Sequence, residues 1–250
     1  MENLFSGKVA LVTGGGSGIG QATALLYAQH GAKVVVSDIN EQGGDETVNT
    51  IKQSGGEAIF IKADVSNARQ CEILMDEIIR HYGRLDIAFN NAGIGGEMQP
   101  VADLSIDGWL KVIDVNLNSV FYCMKYQIPH MLKQGSGVIV NMSSILGKVA
   151  FANAPAYVAA KHAVVGLSQN AAVEYAKQGI RVNAVGPAFI NTPLLSVLDD
   201  NMKKVLTQMH PIGRFGEAKE VAELVVWLSS DKASFVTGNY YAVDGGYLAI

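Results

Sequence analysis

Two residues four positions apart, Tyr157 and Lys161, offer proton-transfer chemistry. In a helix this spacing puts a phenol and an ammonium on one face, with Cβ atoms about 5–6 Å apart. A nearby cation stabilises phenolate and lowers the tyrosine pKa from ~10 towards the working pH, as a group that exchanges a proton with an alcohol oxygen requires. The alternative is a surface pair on an amphipathic helix, so the neighbouring motifs must decide.

Ser144 stands thirteen residues before Tyr157, at the end of the apolar run VIVNMS. The run predicts a buried strand, and the carboxyl ends of strands are where doubly wound sheets bind ligands. A nucleophilic serine is the rival interpretation, but the chain has no G-x-S-x-G elbow and none of its five histidines is placed by sequence to activate Ser144. We therefore expect Ser144 to hydrogen-bond a ligand.

A glycine-rich segment, TGGGSGIG at 13–20, follows the first apolar run. Glycines let the backbone turn tightly and approach a pyrophosphate, whose charge is met by the free N–H groups and the positive end of the next helix. Gln21 stands where a P-loop needs lysine, which argues against ATP or GTP chemistry. The strict G-x-G-x-x-G spacing is also absent, and a βα turn without a ligand is the alternative.

Asp38 ends the second apolar run, 18 residues after Gly20. A carboxylate at that place can accept both hydrogen bonds of an adenosine ribose diol and would repel a 2′-phosphate. No Lys or Arg occurs at 14–17 or 37–40 to neutralise such a phosphate. The position therefore predicts NAD rather than NADP, with an ordinary strand-end Asp in a turn as the alternative.

Composition limits the possible partners. The 250 residues carry a net charge of −4 without a basic run, which argues against nucleic acid and anionic membranes. Cys71 and Cys123 make no CxxC pair and have no histidine cluster at ligand spacing, so we expect neither a disulfide framework nor a metal site. The first residues lack a basic stretch followed by an apolar one, which predicts a reduced, soluble, cytoplasmic protein.

Short β-branched runs alternate with segments of helical period. Six strands are predicted at 8–13, 33–38, 57–62, 85–90, 137–142 and 180–185, with a seventh at 240–243. Helices are predicted at 18–30, 41–54, 67–82, 107–133, 155–178 and 217–230. Several runs are continuously apolar, as strands covered on both faces require. The fold class is therefore α/β: a single doubly wound, Rossmann-like parallel sheet of about seven strands with helices on both faces, in one domain over 1–250.

At mutually consistent spacings, these motifs resemble the short-chain dehydrogenase/reductase family in its single-domain form, and the resemblance covers essentially the whole chain. Its cofactor loop, its adenine contact after the third strand and its NNAG motif at 90–93 all have counterparts. One position departs from the family: Ala188 stands where a Pro-Gly pair supplies glycine, and Gly186 precedes the proline instead. The cofactor-binding residues implied for NAD are Gly14, Ser17, Gly18, Ile19, Gly20, Asp38, Asp64, Val65, Asn91, Ala92, Gly93, Tyr157, Lys161, Pro187, Ile190 and Thr192.

The same resemblance implies a catalytic tetrad of Asn116, Ser144, Tyr157 and Lys161. Tyr157 would be the general base in alcohol oxidation and the general acid in carbonyl reduction, while Ser144 holds the substrate oxygen. Lys161 would lower the tyrosine pKa and bind the nicotinamide ribose. Asn116 would anchor a water that passes protons to solvent. The implied activity is NAD-dependent oxidation of a secondary alcohol or reduction of a ketone.

The candidate substrate pocket is mostly apolar and offers no cation for a carboxylate or phosphate, which predicts a neutral, fairly hydrophobic substrate. Its residues are Ile145, Leu146, Phe151, Phe189, Leu194 and Leu195, and 193–208 is predicted to form a helical lid. Two other functions compete. A reductase of 3-oxoacyl thioesters would generally use NADPH, which Asp38 opposes, and a dinucleotide-binding sensor or scaffold without turnover would not need the tetrad.

Two helical segments, 107–133 and 155–178, carry apolar residues around nearly their whole circumference. The apolar end Tyr247 to Ile250 adds a tail that is costly to leave in water. Burial against another subunit would explain both, and closed symmetry then predicts a homo-oligomer, with the resemblance favouring a tetramer over a dimer. The alternative is that both helices lie centrally in a monomer core and the tail folds back.

Overall fold

The computed structural model describes residues 3–196 and 199–250, and the strands found there form two sheets. In chain order they are β1 (Val9–Thr13), β2 (Lys33–Asp38), β3 (Glu57–Lys62), β4 (Ile87–Asn90), β5 (Gly137–Met142), β6 (Ile180–Pro187), β7 (Ile190–Asn191), β8 (Gly216–Glu217) and β9 (Tyr240–Val243). The large sheet has the order β3-β2-β1-β4-β5-β6-β9 with every pair parallel. All seven predicted strands are therefore confirmed.

The α-helices of the described residues cover both faces of this sheet. They are α1 (Gly18–Gln29), α2 (Glu41–Gln53), α3 (Ala68–Tyr82), α4 (Ile106–Ile113), α5 (Ser119–Gln134), α6 (Pro155–Tyr175), α7 (Asp200–Gln208) and α8 (Ala218–Ser229). One core joins the sheet to α1, α2 and α8, and the other joins it to α3, α5 and α6. Along β1, Ala10 and Val12 enter the first core while Val9 and Leu11 enter the second, which explains why these strands read as continuously apolar.

The strand order reverses between β1 and β4, which lie side by side at the centre of the sheet. Chain connections on either side of this point lead away in opposite directions, so a crevice opens outside the carboxyl ends of the two strands. Thr13 and Asn90 are paired at those ends. The glycine-rich segment and the NNAG motif therefore begin at the same crevice.

The helix predicted at 107–133 is corrected in one respect. A π-helical segment, Asp114–Asn118, separates α4 from α5, so the chain stays helical but makes one wide turn. Asn116 lies at the middle of this turn and is fully buried. A π turn inserts extra backbone into a regular helix and is commonly found at functional sites.

The region of the predicted lid contains two helical pieces. A 3₁₀ turn spans Pro193–Leu195 and α7 follows at Asp200, while Val197 and Leu198 lie outside the described residues. Strands β7 and β8, which pair Ile190 with Gly216 and Asn191 with Glu217, flank this region and were not predicted. Two-residue strands are too short to produce a periodic pattern.

None of the described helices is long and apolar enough to cross a membrane. The described residues also contain no group of three or more His, Cys, Asp or Glu side chains that could hold a metal ion. Cys71 and Cys123 are buried as free thiols, and their Sγ atoms lie 3.9 Å apart between α3 and α5.

Candidate active site

Ser144, Tyr157 and Lys161 meet at the carboxyl end of β5. Ser144 follows the last residue of β5 by two positions, and Tyr157 and Lys161 lie in the first two turns of α6. The Lys161 Nζ lies 5.4 Å from the centre of the Tyr157 ring and donates to the Met142 main-chain oxygen at 2.9 Å. A side-chain hydrogen bond joins Tyr157 to Ser144. The i,i+4 pair therefore faces the serine rather than solvent.

The electrostatics of this pair differ from the sequence-based expectation. Burial raises the pKa of Tyr157 above its ordinary value, and the hydrogen bond to Ser144 offsets only part of that rise. Burial also lowers the pKa of Lys161 to about 7, because an ammonium is costly to keep out of water. The lysine was expected to depress the tyrosine pKa, but desolvation is the larger effect on the pKa of both groups.

The Asn116 side chain ties the π segment to the chain after β4. Its Nδ2 donates to the main-chain oxygens of Ile94, at 2.9 Å, and Val112, at 3.1 Å. Its Oδ1 accepts from the Ile94 N–H at 3.2 Å. Both amide hydrogens are therefore used within the chain, and a water at this place would bind the remaining lone pair of Oδ1 or a main-chain oxygen freed by the π turn.

The glycine-rich loop is packed too tightly for side chains at key positions. A Cβ at Gly20 would lie 2.1 Å from the Gly14 oxygen, and one at Gly14 would lie 2.9 Å from the Cα of Ala92. Gly14 and Gly18 also have positive φ angles of 63° and 54°. These contacts let α1 begin directly beside the ends of β1 and β4.

The first turn of α1 is suited to an anion. Ser17 is its N-cap residue, but the serine side chain makes no capping hydrogen bond and the first turn contains no acidic residue. The N–H groups of the turn, which include those of Ile19 and Gly20, thus lack the usual side-chain acceptors. A diphosphate would satisfy them and interact favourably with the helix dipole, so these residues fit a dinucleotide.

Asp38, at the end of β2, is held by the glycine loop. Its Oδ2 accepts from the Gly16 N–H and its Oδ1 from the Asn40 N–H, each at 2.9 Å. No cation is paired with Asp38 among the residues that the structure describes. The contact to Gly16 places a negative charge at the loop, although the bond to Asn40 is also the turn that an ordinary strand-end Asp would make.

The NNAG motif joins β4 to the glycine loop, and Ala92 of this motif packs against a small cluster that contains Val65. The Asn91 Nδ2 donates to the main-chain oxygens of Thr13 and Gly14 at 3.0 and 3.1 Å, which joins β4 to the glycine loop. Ala92 follows within reach of Gly14, and a Cβ at Gly93 would lie 2.6 Å from the Asn116 Oδ1. After β3, the Asp64 Oδ1 accepts from the Ser66 N–H while Val65 is buried.

The loop after β6 approaches the glycine loop from the other side. Pro187 is the last residue of β6, Ile190 is buried, and the Thr192 methyl would lie 3.3 Å from a Cβ at Gly18. Ala188 donates to the Val243 oxygen at 3.1 Å and is absent from the described non-glycine residues with positive φ. Alanine therefore fits this position without backbone strain.

An aromatic cluster forms one wall near the predicted pocket. The Phe189 ring lies 6.1 Å from that of Phe151, and it also contacts the rings of His210, Phe215 and Tyr247 at 5.7, 6.3 and 6.2 Å. Phe151 and Phe189 were predicted pocket residues, but the other three come from distant segments that sequence spacing could not connect. The buried Nε2 of His210 has no hydrogen-bond partner among the described residues.

Comparison with known proteins adds to this geometry. The model of the family described as enoyl-(acyl carrier protein) reductase matches residues 14–248. The chain is 49% identical over 247 residues to cyclohexanol dehydrogenase of Acinetobacter sp. (strain SE19), covering 99% of this chain and 97% of that protein. It is 44% identical over 250 residues to cis-4-hydroxycyclohexanecarboxylate dehydrogenase of Sinomonas cyclohexanicum, covering 100% of both. A solved structure described as an NAD(P)-dependent gluconate 5-dehydrogenase from Beutenbergia cavernae, with NADP bound at low occupancy, has a TM-score of 0.95 at 36% identity and full coverage of both chains.

Proposed function

The chain belongs to the short-chain dehydrogenase/reductase family, and from this premise we propose that it is an NAD-dependent oxidoreductase acting on a secondary alcohol or ketone. One observation carries the proposal: the Tyr157 phenol, hydrogen-bonded to Ser144 and packed against the Lys161 ammonium, lies at the end of β5, two strands from the glycine loop after β1. This arrangement supports proton transfer beside a bound dinucleotide at one edge of the sheet.

Each residue of the tetrad has a separate role in the proposed reaction. Bound nicotinamide supplies the hydride acceptor for an alcohol or the hydride donor for a ketone. Ser144 donates a hydrogen bond to the substrate oxygen and holds it beside Tyr157, which takes the hydroxyl proton in oxidation and returns it in reduction. Phenolate at Tyr157 and ammonium at Lys161 favour each other's charged forms, so Lys161 stabilises the basic state of the site. Asn116 holds the π turn, where it would anchor a water that passes the proton to solvent.

The cofactor is NAD, bound by the residues around the glycine loop that the family resemblance implies. The uncapped first turn of α1 supports diphosphate binding, and the unpaired carboxylate of Asp38 supports a free ribose diol over a 2′-phosphate. The Beutenbergia cavernae neighbour binds NADP, so the argument for NAD rests on Asp38 of this chain alone. Lys161 and Tyr157, beside the end of β5, would complete the cofactor contacts.

The substrate is a neutral, fairly hydrophobic cyclic alcohol or ketone. Phe151 and Phe189 contribute an aromatic wall, which supports an uncharged, apolar substrate. Both named relatives act on cyclohexane rings carrying a hydroxyl group, and the substrate of the second also carries a carboxylate, so the relatives support the ring and the alcohol rather than the absence of charge. A second candidate is a 3-oxoacyl-thioester reductase, because the matched family model is described by an acyl-carrier substrate. The carboxylate of Asp38 disfavours it, since such enzymes generally use NADPH. A sensor or scaffold without turnover is disfavoured by the assembled Ser144, Tyr157 and Lys161.

Three further features belong to the same proposal. Residues 1–250 form a single NAD-binding oxidoreductase domain, and 193–208 act as a lid over the substrate. The active form is a homo-oligomer, a tetramer rather than a dimer. Exposed apolar side chains on the two helices singled out from the sequence support this: Phe121 on α5 is 48% exposed and Val173 on α6 is 82% exposed. Ile250, at the end of the apolar tail, is 88% exposed.

One experiment tests the activity directly. The purified protein is mixed with NAD or NADP and a panel of cyclic and acyclic secondary alcohols, and the absorbance of reduced cofactor is followed. We expect turnover of cyclohexanol-like alcohols with NAD. Reduction of 3-oxoacyl thioesters by NADPH, without alcohol oxidation, would favour the second candidate, and binding of cofactor without any turnover would favour the sensor.

A further inference from the structure

The Tyr240 side chain reaches across the edge of the sheet to the segment that carries Ser144. Tyr240 is the first residue of β9, the strand that borders β6. Its hydroxyl donates a 2.9 Å hydrogen bond to the main-chain oxygen of Ser144, 96 residues earlier in the chain. Neither the sequence motifs nor the proposed tetrad includes this tyrosine.

The position of the ring depends on a missing side chain. A Cβ at Gly186 would lie 1.9 Å from the Tyr240 hydroxyl oxygen and 2.2 Å from the ring carbon that bears it. No real Cβ tolerates such contacts, so any residue other than glycine at 186 would displace the tyrosine. Gly186 and Tyr240 therefore form a matched pair, which explains why glycine precedes Pro187 in this chain.

The hydrogen bond acts at the point where Ser144 has left the regular sheet. Ser144 lies beyond the last residue of β5, and its carbonyl accepts a second hydrogen bond from the Gly147 N–H at 2.8 Å. Its Oγ accepts from the Leu146 N–H at 3.2 Å. The direction of the serine hydroxyl is thus set by a tight turn. The Ser143 N–H and the Ser144 Oγ tie this turn to β6 by donating to the main-chain oxygens of Val185, at 2.8 Å, and Pro187, at 3.5 Å, and Tyr240 ties it to β9.

A cation packs over the outside of the tyrosine. The Lys148 Nζ lies 5.1 Å from the centre of the Tyr240 ring. Such a contact is attractive because the face of an aromatic ring is electronegative. The ring therefore lies directly against Gly186 and contacts Lys148, with its hydroxyl on the Ser144 carbonyl.

From these contacts we propose that Tyr240 is a positioning residue that acts through Ser144, made possible by Gly186. The proposal rests on the proposed function for its kinetic consequence. Tyr240 fixes the Ser144 carbonyl, and the fixed carbonyl orients the serine hydroxyl toward the oxygen that exchanges its proton with Tyr157. Misplacement of such a group mainly weakens binding of the transition state.

The kinetic test uses Tyr240→Phe, which removes only the hydroxyl. We expect kcat for a secondary alcohol to fall about five- to tenfold, in line with the loss of one neutral hydrogen bond, while the Kd for NAD is unchanged. In a Ser144→Ala background, the same substitution should cause no further fall in kcat. Tyr241→Phe is the matched control, because the Tyr241 ring packs into the core beside α1 and α8 instead. An unchanged kcat, or an equal fall in both backgrounds, would overturn the proposal.

A second measurement does not depend on turnover. Gly186→Ala should lower the Tm when Tyr240 is present but leave it nearly unchanged in a Tyr240→Ala background, because the clash then has no partner. An equal Tm loss in both backgrounds would show that the pair is not coupled. If no alcohol is oxidised by the unmodified protein, the proposed function fails, whereas this thermal comparison still reports on the contact between Gly186 and Tyr240.

Discussion

Lys161 donates its 2.9 Å hydrogen bond to the Met142 carbonyl while its Nζ stands 5.4 Å from the centre of the Tyr157 ring. The ammonium is thus fixed by the backbone at the end of β5. The charge of Lys161 is thereby held near the phenol and away from water, and the first two predictions follow from this placement.

Replacing Tyr157 by Phe removes the phenol oxygen and keeps the ring. We expect kcat to fall by roughly 10² or more, the lower end of general acid–base contributions, while NAD still binds. Steady-state kinetics and calorimetric titration with NAD measure the two effects. Tyr175→Phe, at the far end of the same helix, is the matched control. A Tyr157→Phe enzyme that keeps most of its activity would mean that another group transfers the proton.

The buried Lys161 predicts how stability depends on pH. Its pKa is lowered to about 7 in the folded chain from an ordinary ~10.4, so between these values the unfolded chain binds more protons. The free-energy cost of burying the Lys161 ammonium is therefore at its full value below pH 7 and becomes smaller as the pH rises. Relative to Lys161→Met, the unmodified protein should gain about 2 kcal/mol in its free energy of unfolding between pH 7 and pH 9. Urea denaturation of both ligand-free proteins measures this difference, and parallel pH profiles would contradict it.

Asp38 predicts the cofactor preference. We expect kcat/KM with NAD to exceed that with NADP at least tenfold, or ~1.4 kcal/mol, because the carboxylate repels a 2′-phosphate. Asp38→Ala should reduce the ratio of kcat/KM with NAD to that with NADP, but it also removes the acceptor for the Gly16 N–H. Asp38→Asn keeps an acceptor oxygen and removes the charge, so it separates the two effects. Equal use of both cofactors by the unmodified protein would refute the assignment.

The exposed apolar side chains of α5 and α6 predict self-association. Light scattering at micromolar concentration should give a mass that is a multiple of 26.6 kDa, with four copies favoured. Phe121→Asp should shift the protein to smaller species, because a carboxylate is costly to bury in an apolar interface. Ile73→Asp, at an exposed position of α3, is the matched control. A mass near that of one chain would contradict the prediction.

The sequence predicted the sheet and its crevice well, because each strand carries a local apolar pattern and each motif lies at a strand end. It did not predict the π turn at 114–118, since a pattern of one constant period was assumed across 107–133. The extra residue rotates α5 by about 100° relative to α4, so the apolar stripes of the two helices are out of phase. This shift is part of the reason why apolar residues between Ile113 and Met124 surround the helix when one constant period is assumed. Helix α6 has no such interruption, so its apolar residues are the stronger argument for self-association.

Contacts between distant segments could not be predicted from the sequence for a different reason. The pairing of Gly186 with Tyr240, and the meeting of Phe189 with His210 and Tyr247, depend on how edge elements pack. Neither pair has a spacing rule that links its members. The sequence shows that Gly186 before Pro187 departs from the family pattern, but the reason, the Tyr240 ring that packs against it, is found only in the structure.

The small ladder between β7 and β8 brings the two ends of the segment 192–215 together. Its two ends are neighbouring strands, which in a parallel pair lie ~4.8 Å apart. A loop whose ends are already pinned together can change length and sequence at little entropic cost, because closure depends only weakly on loop length. New ring-shaped substrates could then be acquired in evolution by insertion or exchange within this segment. A graft of the equivalent stretch from cyclohexanol dehydrogenase should accordingly fold on this scaffold without changes to the large sheet.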